Sequence, residues 1–513
     1  MIGVRGLWRS LWMAGTLALA GCGESASPPP SAPLRFTGNR LTVAALDDPG
    51  ILAGVALQRG EWVASREAEI TVLEAPLSSL EAASGVDLIL FPGRRMGDLV
   101  DADFLEPIAT EALVPASPDP DEEANSRSEP AIDTFQYSDL IPAFRDQVSK
   151  YGSDRMALPL GGSALVLAYR KDALERAENR EAAIAAGLTL EPPTTWDQLD
   201  ALAWFFQGRD WDGDGTPDSG LAAALGSDPE GVADALFLAR AAALGQHRDQ
   251  YSFLFDSDSL RPRIASPPFV EALRGVVRWK ALGPPEMEGF DAAAARAAFR
   301  EGKTVFLIDR AEQAAAWSPG RPVGVVPLPG SRRVFDPLRK TWDESATPNA
   351  PGYALRGGGW LVGVRRGLAP GVREAAVDLA RYLASPEVVN RLRAEPAFPM
   401  LPVRSSQLGR GFPDVASNPD LDPRQWSDAV SRTLLAERVV VDLRIPEANG
   451  YLEDLSQERR AAVQGKDAEA ALEAVAQAWT RRSQTLGLQR QLWHYRRSLN
   501  TLITLPDPPP RGS

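Results

Sequence analysis

Residues 86–99, VDLILFPGRRMGDL, decide the fold. Val86 to Phe91 is a short apolar run that opens into Pro92-Gly93-Arg94-Arg95, the pattern of a buried strand entering a polar loop, and helical spacing begins at about Met96. The pattern repeats upstream. Leu41 to Leu46 (LTVAAL) runs into Asp47-Asp48-Pro49-Gly50, Ile51 to Arg66 is spaced as a helix, and Glu69 to Leu73 is another strand. Strands alternating with helices imply an α/β fold with a mainly parallel sheet and crossover connections. Such sheets bind ligands at the carboxyl ends of their strands, which makes the loops at Asp47-Asp48 and Gly93–Arg95 the first candidate site.

Downstream, Met156 to Tyr169 (MALPLGGSALVLAY) reads as a strand, a Gly-Gly interruption and a second strand. Thr194 or Thr195 is the expected N-cap of the helix opening at Trp196. Helical patterning covers Gly231 to Leu244, Val270 to Leu282, Arg373 to Leu383 and most of Asp467 to Trp493. Phe299 to Ile308 turns back to strand, followed by strands at Val323 to Pro327 and, behind Gly357-Gly358-Gly359, at Trp360 to Val364. Ser117 to Pro130, acidic and rich in Pro and Ser, reads as a solvated surface insertion.

At 513 residues the chain is long enough for two or more domains, and 44% hydrophobic with 24% charged residues is ordinary globular usage. A net charge of −13 argues against a phosphate-backbone partner, so no nucleic acid is expected. One Cys and two His exclude a disulfide framework and nearly exclude a His- or Cys-rich zinc site. The two His, His247 and His494, are expected at the surface. The Cys has a context of its own. Arg5 and Arg9 precede an apolar stretch, Leu11 to Ala20, too short to span a bilayer as a mature helix, and Leu19-Ala20-Gly21-Cys22 resembles a bacterial lipobox. Residues 1–21 are therefore expected to be a lipoprotein signal peptide, with Cys22 lipidated. Residues 22–37, which include the run GESASPPPSAP, are expected to form a tether of the kind that holds a domain off a membrane.

The densest ligand constellation is Asp210-Trp-Asp212-Gly-Asp214-Gly215-Thr216-Pro-Asp218. Carboxylates at positions 1, 3, 5 and 9, Gly at 6 and a carbonyl from Thr216 at 7 match the oxygen spacing of an EF-hand-type calcium loop. Position 12 is Leu221, so the usual bidentate Glu is missing, and Asp228 or Glu230 is the candidate to replace it. The expected cofactor is a structural Ca2+.

Taken in order, these pieces resemble the extracellular solute-binding proteins of the maltose-binding type, which serve ABC importers. The stretches that carry the likeness are VDLILFPGRRMGDLVDADFLEPI (86–108), MALPLGGSALVLAYRKDALE (156–175), PPTTWDQLDALA (192–203), FREGKTVFLID (299–309) with Trp317 and VGVVPLPG (323–330), and GGGWLVGV (357–364) with REAAVDLARYLASPE (373–387). From Arg393 the match thins. The resemblance implies a two-lobed periplasmic-binding-protein type II fold with a hinge of crossing strands. Lobe 1 is then 38–158 plus 304–356, lobe 2 is 159–303 plus 357–500, and 501–513 is a flexible tail. It further implies a monomeric receptor on the periplasmic side of the cell envelope. Its partners are a sugar or oligosaccharide in the cleft and an ABC transporter permease.

Sugar receptors stack rings on the apolar faces of sugars and bond hydroxyls with planar polar groups. On that basis Phe91, Arg94 and Arg95 match ligand-contacting positions in the loop after the third strand, with Asp47 and Asp48 beside them and Tyr169, Trp317 and Trp360 at strand ends. Two adjacent Arg depart from the family's mixed acid-and-base loop and leave room for an acidic solute. Trp360, beside three glycines, suits either ligand stacking or hinge packing, whereas Trp62 and Trp196 suit the core. The rival readings are a calcium-stabilised surface lipoprotein for protein interaction and a glycan-acting enzyme in which Asp47 or Asp48 would face Asp309. No nucleophile elbow, P-loop or dinucleotide-binding glycine pattern supports an enzyme.

Overall fold

A computed structural model describes residues 34–114, 135–248, 252–395, 398–408, 418–500 and 508–509. The expected signal peptide with Cys22, all but the last four residues of the expected tether, the 117–130 stretch read as an insertion and most of the expected 501–513 tail lie outside them.

The first half-sheet consists of β1 (Arg40–Ala45), β2 (Glu69–Val72) and β3 (Leu88–Pro92), with α1 (Gly50–Arg66) and α2 (Met96–Asp101) in the connections. Helix α1 buries Ile51, Leu52, Val55 and Trp62 on one face and stops at Glu67, whose backbone is left-handed (φ 56°). Burying such side chains contributes about 1.5–3 kcal/mol each. The second half contains β4 (Leu158–Arg170), α3 (Trp196–Phe206), β5 (Ser219–Ala222), α4 (Val232–Gly245), α5 (Pro267–Trp279), α6 (Ala292–Arg300), β6 (Thr304–Arg310) and β7 (Val323–Pro327). After a hairpin of β8 (Ser331–Asp336) and β9 (Thr341–Asn349) the chain recrosses through β10 (Gly352–Val364), α7 (Pro370–Leu383), α8 (Pro386–Arg393), α9 (Pro423–Leu434) and β11 (Val439–Val441). It ends in α10 (Ala448–Val463), α11 (Ala468–Leu486) and α12 (Leu488–Ser498).

Among the described residues nine strands join in the order β2-β1-β3-β10-β4-β6-β5, with β11 added to β10 and β7 to β4. The long strands β4 and β10 do the crossing. Trp360–Val364 of β10 pairs antiparallel with β3, while Gly352–Ala354 pairs with β11. Likewise Leu158–Gly162 of β4 pairs with β10, and Leu165–Arg170 pairs with β6 and β7. This is the two-lobed arrangement expected of the fold class.

Several boundaries differ from expectation. The Gly161-Gly162 pair interrupts nothing, because β4 is a single strand there. A Cβ on Gly161 would lie 2.3 Å from Met400 Sδ, so glycine makes room for a packed neighbour instead of a turn. Thr304–Arg310 belongs with the second lobe, since it pairs with β5 and the far half of β4. Helices α7 and α8 pack on α1 in the first lobe, where Trp62 Nε1 donates to Asp378 at 2.8 Å. The expected split at 356–357 therefore reverses for these segments, because β10 carries the chain back to lobe 1 before α7 begins. The β8–β9 hairpin was not anticipated at all. Thr195 is the N-cap of α3, its hydroxyl accepting from Gln198 N within a capping box. Trp62 and Trp196 are core residues. His247 and His494 are buried instead of exposed: His494 sits between Tyr151 Oη at 3.1 Å and Asp101 Oδ1 at 2.9 Å, because α12 docks against lobe 1.

The crossing of β10 requires an irregular backbone. Its pairing with β4 shifts register between Ala354 and Gly359, and φ is positive at Arg356 (58°), Gly357 (72°), Gly358 (103°) and Gly359 (128°). A Cβ on Gly357 would lie 2.0 Å from the backbone N of Arg94. Gly357→Ala is expected to cost about 3 kcal/mol of unfolding free energy by urea titration. Gly371→Ala, at a helical site with ordinary φ and open space, should be neutral or stabilising by about 0.5 kcal/mol.

Candidate functional site

A cavity of about 370 Å³ lies where the strand ends of lobe 1 meet α4 and α10 of lobe 2. From lobe 1 come Asp47, Asp48, Pro92, Arg94 and Trp360, and from lobe 2 the start of α4 (Asp228 to Ala235) and the first turns of α10. A larger open cavity, about 820 Å³, lies between the β8–β9 hairpin and the end of α4, and none of the expected ligand residues lines it.

Local structure explains each placement. β1 ends at Ala45, and the turn that follows puts Asp47 in the left-handed region (φ 69°), where Asp tolerates it. Asp48 Oδ1 accepts Gly50 N–H at 2.7 Å and so fixes the start of α1. β3 ends at Pro92, opposite Trp360, and a single turn at Gly93–Arg95 sends Arg94 into the cleft. Arg95 turns away to Asp47 (Nε to Oδ2, 3.5 Å) and Asp98 (Nη1 to Oδ2, 3.0 Å).

Four of the eight expected ligand residues thus come together: Asp47, Asp48, Arg94 and Trp360. Arg95 braces Asp47 from behind. The other three are corrected to core positions. Phe91 is fully buried on β3, paired in register with Leu361. Trp317 is fully buried and donates its Nε1 to Asp309 at 2.9 Å. Tyr169 lies against Gly324 and receives a hydrogen bond from Gln425 at 3.1 Å. Phe91 and Tyr169 are held within the sheet, and Trp317, at the end of the 3-10 turn Ala311–Ala316, folds back onto Asp309. Trp360 itself is only 4% exposed, because its ring packs on Phe398 at 5.1 Å, so it edges the cleft and serves the core as well. Asp309 is buried beneath Trp317 and beside Arg296 and does not line the cleft, so it does not face Asp47 or Asp48 as the glycan-acting reading expected.

Arg356, Asp442, Asp234 and Asn449 line the cleft without having been anticipated. Arg356 is held in its left-handed conformation by Asp442 Oδ2, which accepts its N–H at 2.7 Å, while Asp442 Oδ1 accepts from Tyr353 Oη at 2.5 Å. Burial raises the Asp442 carboxyl above its ordinary range. Asp228 is fastened to backbone N–H groups of Glu230 and Ala233 at the start of α4, and Glu230 binds Arg296 and Arg310. Neither therefore completes the acidic loop at 210–218. In that loop the carboxylates of Asp210, Asp212 and Asp218 converge to within 4.8 Å of one another, and Asp214 accepts Thr216 N–H at 2.7 Å.

Comparison with known proteins identifies the architecture. The family model for bacterial extracellular solute-binding proteins matches residues 72–421, and the chain belongs to that family. No curated protein sequence matches the chain. Among solved structures, an ABC transporter solute-binding protein from Agrobacterium radiobacter K84 in complex with ribitol is 20% identical. It covers 87% of this chain and 100% of its own, with a TM-score of 0.59. The sugar-binding protein MalE from Xanthomonas citri is 17% identical over 86% of this chain and 98% of its own, also at 0.59. Maltose-bound MalE3 of T. maritima is 17% identical over 86% and 99%, at 0.57. At these identities the likeness shows the two-lobed fold. The family places the chain among envelope solute-binding proteins of ABC transporters.

Asp98 joins the lobes beside the site, accepting Glu447 N–H at 2.7 Å at the head of α10. Burial outweighs this bond and the nearby Arg95, pushing its carboxyl from 3.8 up to about 6. The folded protein then holds a proton between these values that the unfolded chain has lost, so Asp98 costs stability as pH rises through that window. Relative to Asp98→Asn, the wild type is expected to lose on the order of 2 kcal/mol of unfolding free energy between pH 4 and 7. Urea titrations at each pH check this, and a pH-independent difference would refute it.

Proposed function

We propose that the protein is a lipid-anchored receptor on the periplasmic side of the envelope. It binds a sugar- or polyol-like solute between its lobes and delivers it to an ABC importer. The observation that carries the reading is the cleft itself. Polar side chains after β1 and β3 face the start of α4 and α10 across the hinge strands, so one solute can touch both lobes. Contacts from both sides stabilise a closed form over an open one, and the solute shifts the population by its differential affinity for the two. The sequence features Leu19–Cys22 and the proline-rich tether support anchoring, and a tethered receptor stays within reach of its permease. The residues that would bind are Asp47, Asp48, Arg94 and Trp360, joined by Arg356, and the protein acts as a monomer without catalysing a reaction.

The experiment is a thermal-shift screen of residues 22–513 with Cys22→Ser against neutral and acidic oligosaccharides and polyols. A solute at 100 times its Kd adds about 2.7 kcal/mol, a melting shift of a few degrees. Absence of any shift across the panel would redirect the reading to the interaction lipoprotein.

The loop at 210–218 is the proposed seat of a structural Ca2+, supported by three converging carboxylates and by Asp218, which burial and the charges of Asp212, Asp214 and Asp210 push up to about 7. With position 12 occupied by Leu221, affinity should fall in the range of about 0.1–1 mM. Chelation is expected to lower the melting temperature and calcium to restore it, with Asp212→Asn abolishing the response. A chelator-insensitive wild type would leave the loop a plain acidic turn.

A further inference from the structure

The acids and bases of the cleft are not balanced alike. Each inward acid already has a partner. Asp47 faces Arg95, Asp48 bonds Gly50 N–H, and Asp228 bonds the start of α4. Glu230 is held by Arg296 and Arg310, Asp234 by Arg459 and Ser456, and Asp442 by Tyr353 Oη and Arg356 N–H. The two arginines are different. Arg94 makes no ion pair or side-chain hydrogen bond among the described residues. Arg356 approaches Asp48, Nη1 to Oδ2 at 3.9 Å, and feels the charge of Glu312, yet its buried Nε has no hydrogen-bond partner among the described residues. Guanidinium donors left unsatisfied in a half-buried cleft cost free energy that a ligand acceptor would recover.

The backbone brings these two cations together. Gly93 and Gly357 touch so closely that a Cβ on Gly93 would lie 2.1 Å from the Gly357 carbonyl oxygen, which seats Arg94 beside Arg356. Burial, then the like charges of Arg310 and Arg94, lower the Arg356 pKa from its ordinary value. Holding Arg356 with positive φ is a further cost, and strain of this kind concentrates where a side chain must be aimed. Aromatic surface is scarce: Trp360 is the one ring among the residues lining this cavity, and most of it is covered. Recognition therefore falls on charge more than on stacking.

We propose that the solute carries an oxyanion, a carboxylate or a phosphate, held jointly by Arg94 and Arg356. The inference rests on the receptor reading and narrows its ligand class. A planar guanidinium pairs with either oxyanion through parallel N–H···O bonds, which a neutral hydroxyl cannot equal. The acidic surface does not forbid this, because at physiological salt charges farther than about 8 Å are largely screened and the adjacent arginines dominate the local field.

The test is calorimetric titration of residues 22–513 (Cys22→Ser) with glucose, glucuronate and glucose 6-phosphate, the corresponding galactose series, and ribitol with ribitol 5-phosphate. The expected result is binding of an acid member at least tenfold tighter than its neutral counterpart, and a loss of at least tenfold for that member in Arg94→Gln at unchanged apo melting temperature. Uronate against phosphate in the same series separates the two oxyanions. If a neutral member binds as tightly as its acids, the inference is overturned while the receptor reading stands. If no sugar or polyol binds, the carbohydrate reading falls, and inorganic phosphate and citrate alone decide the anion site. A melting rise that is lost in Arg94→Gln sustains it, and no rise in the wild type overturns it.

Discussion

Two backbones meet where the lobes join, and the cleft depends on that contact. Gly93, just past β3, and Gly357, within the irregular stretch of β10, approach closer than any side chain would permit. Glycine at both positions lets the crossing strand lie directly on the loop that carries Arg94. The same approach leaves Arg356 lining the cleft in a left-handed conformation braced by a hydrogen bond from its N–H to Asp442. A bulkier residue at either position would part the loop from the strand. The two arginines, Trp360 and the Asp48 turn would then no longer share one cavity.

Beneath this contact lies a second layer of charge. Ser163 of β4 bonds Glu312, which sits 3.5 Å from Arg310, and Arg310 shares Glu230 with Arg296. Arg296 in turn reaches Asp309, which Trp317 caps. Burying so many ions contributes little net stability, because desolvation offsets their attraction. What the chain does is fix geometry. It ties β4, which passes between the lobes, to the start of α4, so the hinge strand and the floor of the cleft share one network of contacts.

The elements built from local pattern were legible in sequence. β1, β3, α1, α3 and the Thr195 cap follow from apolar runs, helical spacing and turn residues, and they fall within a few residues of their expected bounds. The loops after β1 and β3 were legible for the same reason, since a strand's carboxyl end is where a parallel sheet opens. The aromatic candidates were not. Phe91, Trp317 and Tyr169 look alike in one dimension to a ring at a ligand site, and only the register of β3 and β4 and the 3-10 turn that folds Trp317 back onto Asp309 send them inward. Arg356 was hidden because its role arises from a bulge, though a long side chain before three glycines in a crossing strand was the available signal. Asp442 and Asn449 offered none, lying beyond Arg393 where motif resemblance had run out.

Asp48 gives the cleft a property that a list of contacts does not convey. Its carboxylate stands 3.9 Å from the Arg356 guanidinium while its other oxygen is committed to the first turn of α1. On the anion-binding proposal, the protein carries a tethered carboxylate beside the place where an acceptor would dock. An acceptor at that place would turn Asp48 Oδ2 aside at small cost, because 3.9 Å is a loose approach, and leave its Oδ1 hold on Gly50 N–H intact. The guanidinium would then trade a neighbour fixed by the fold for one supplied from solution.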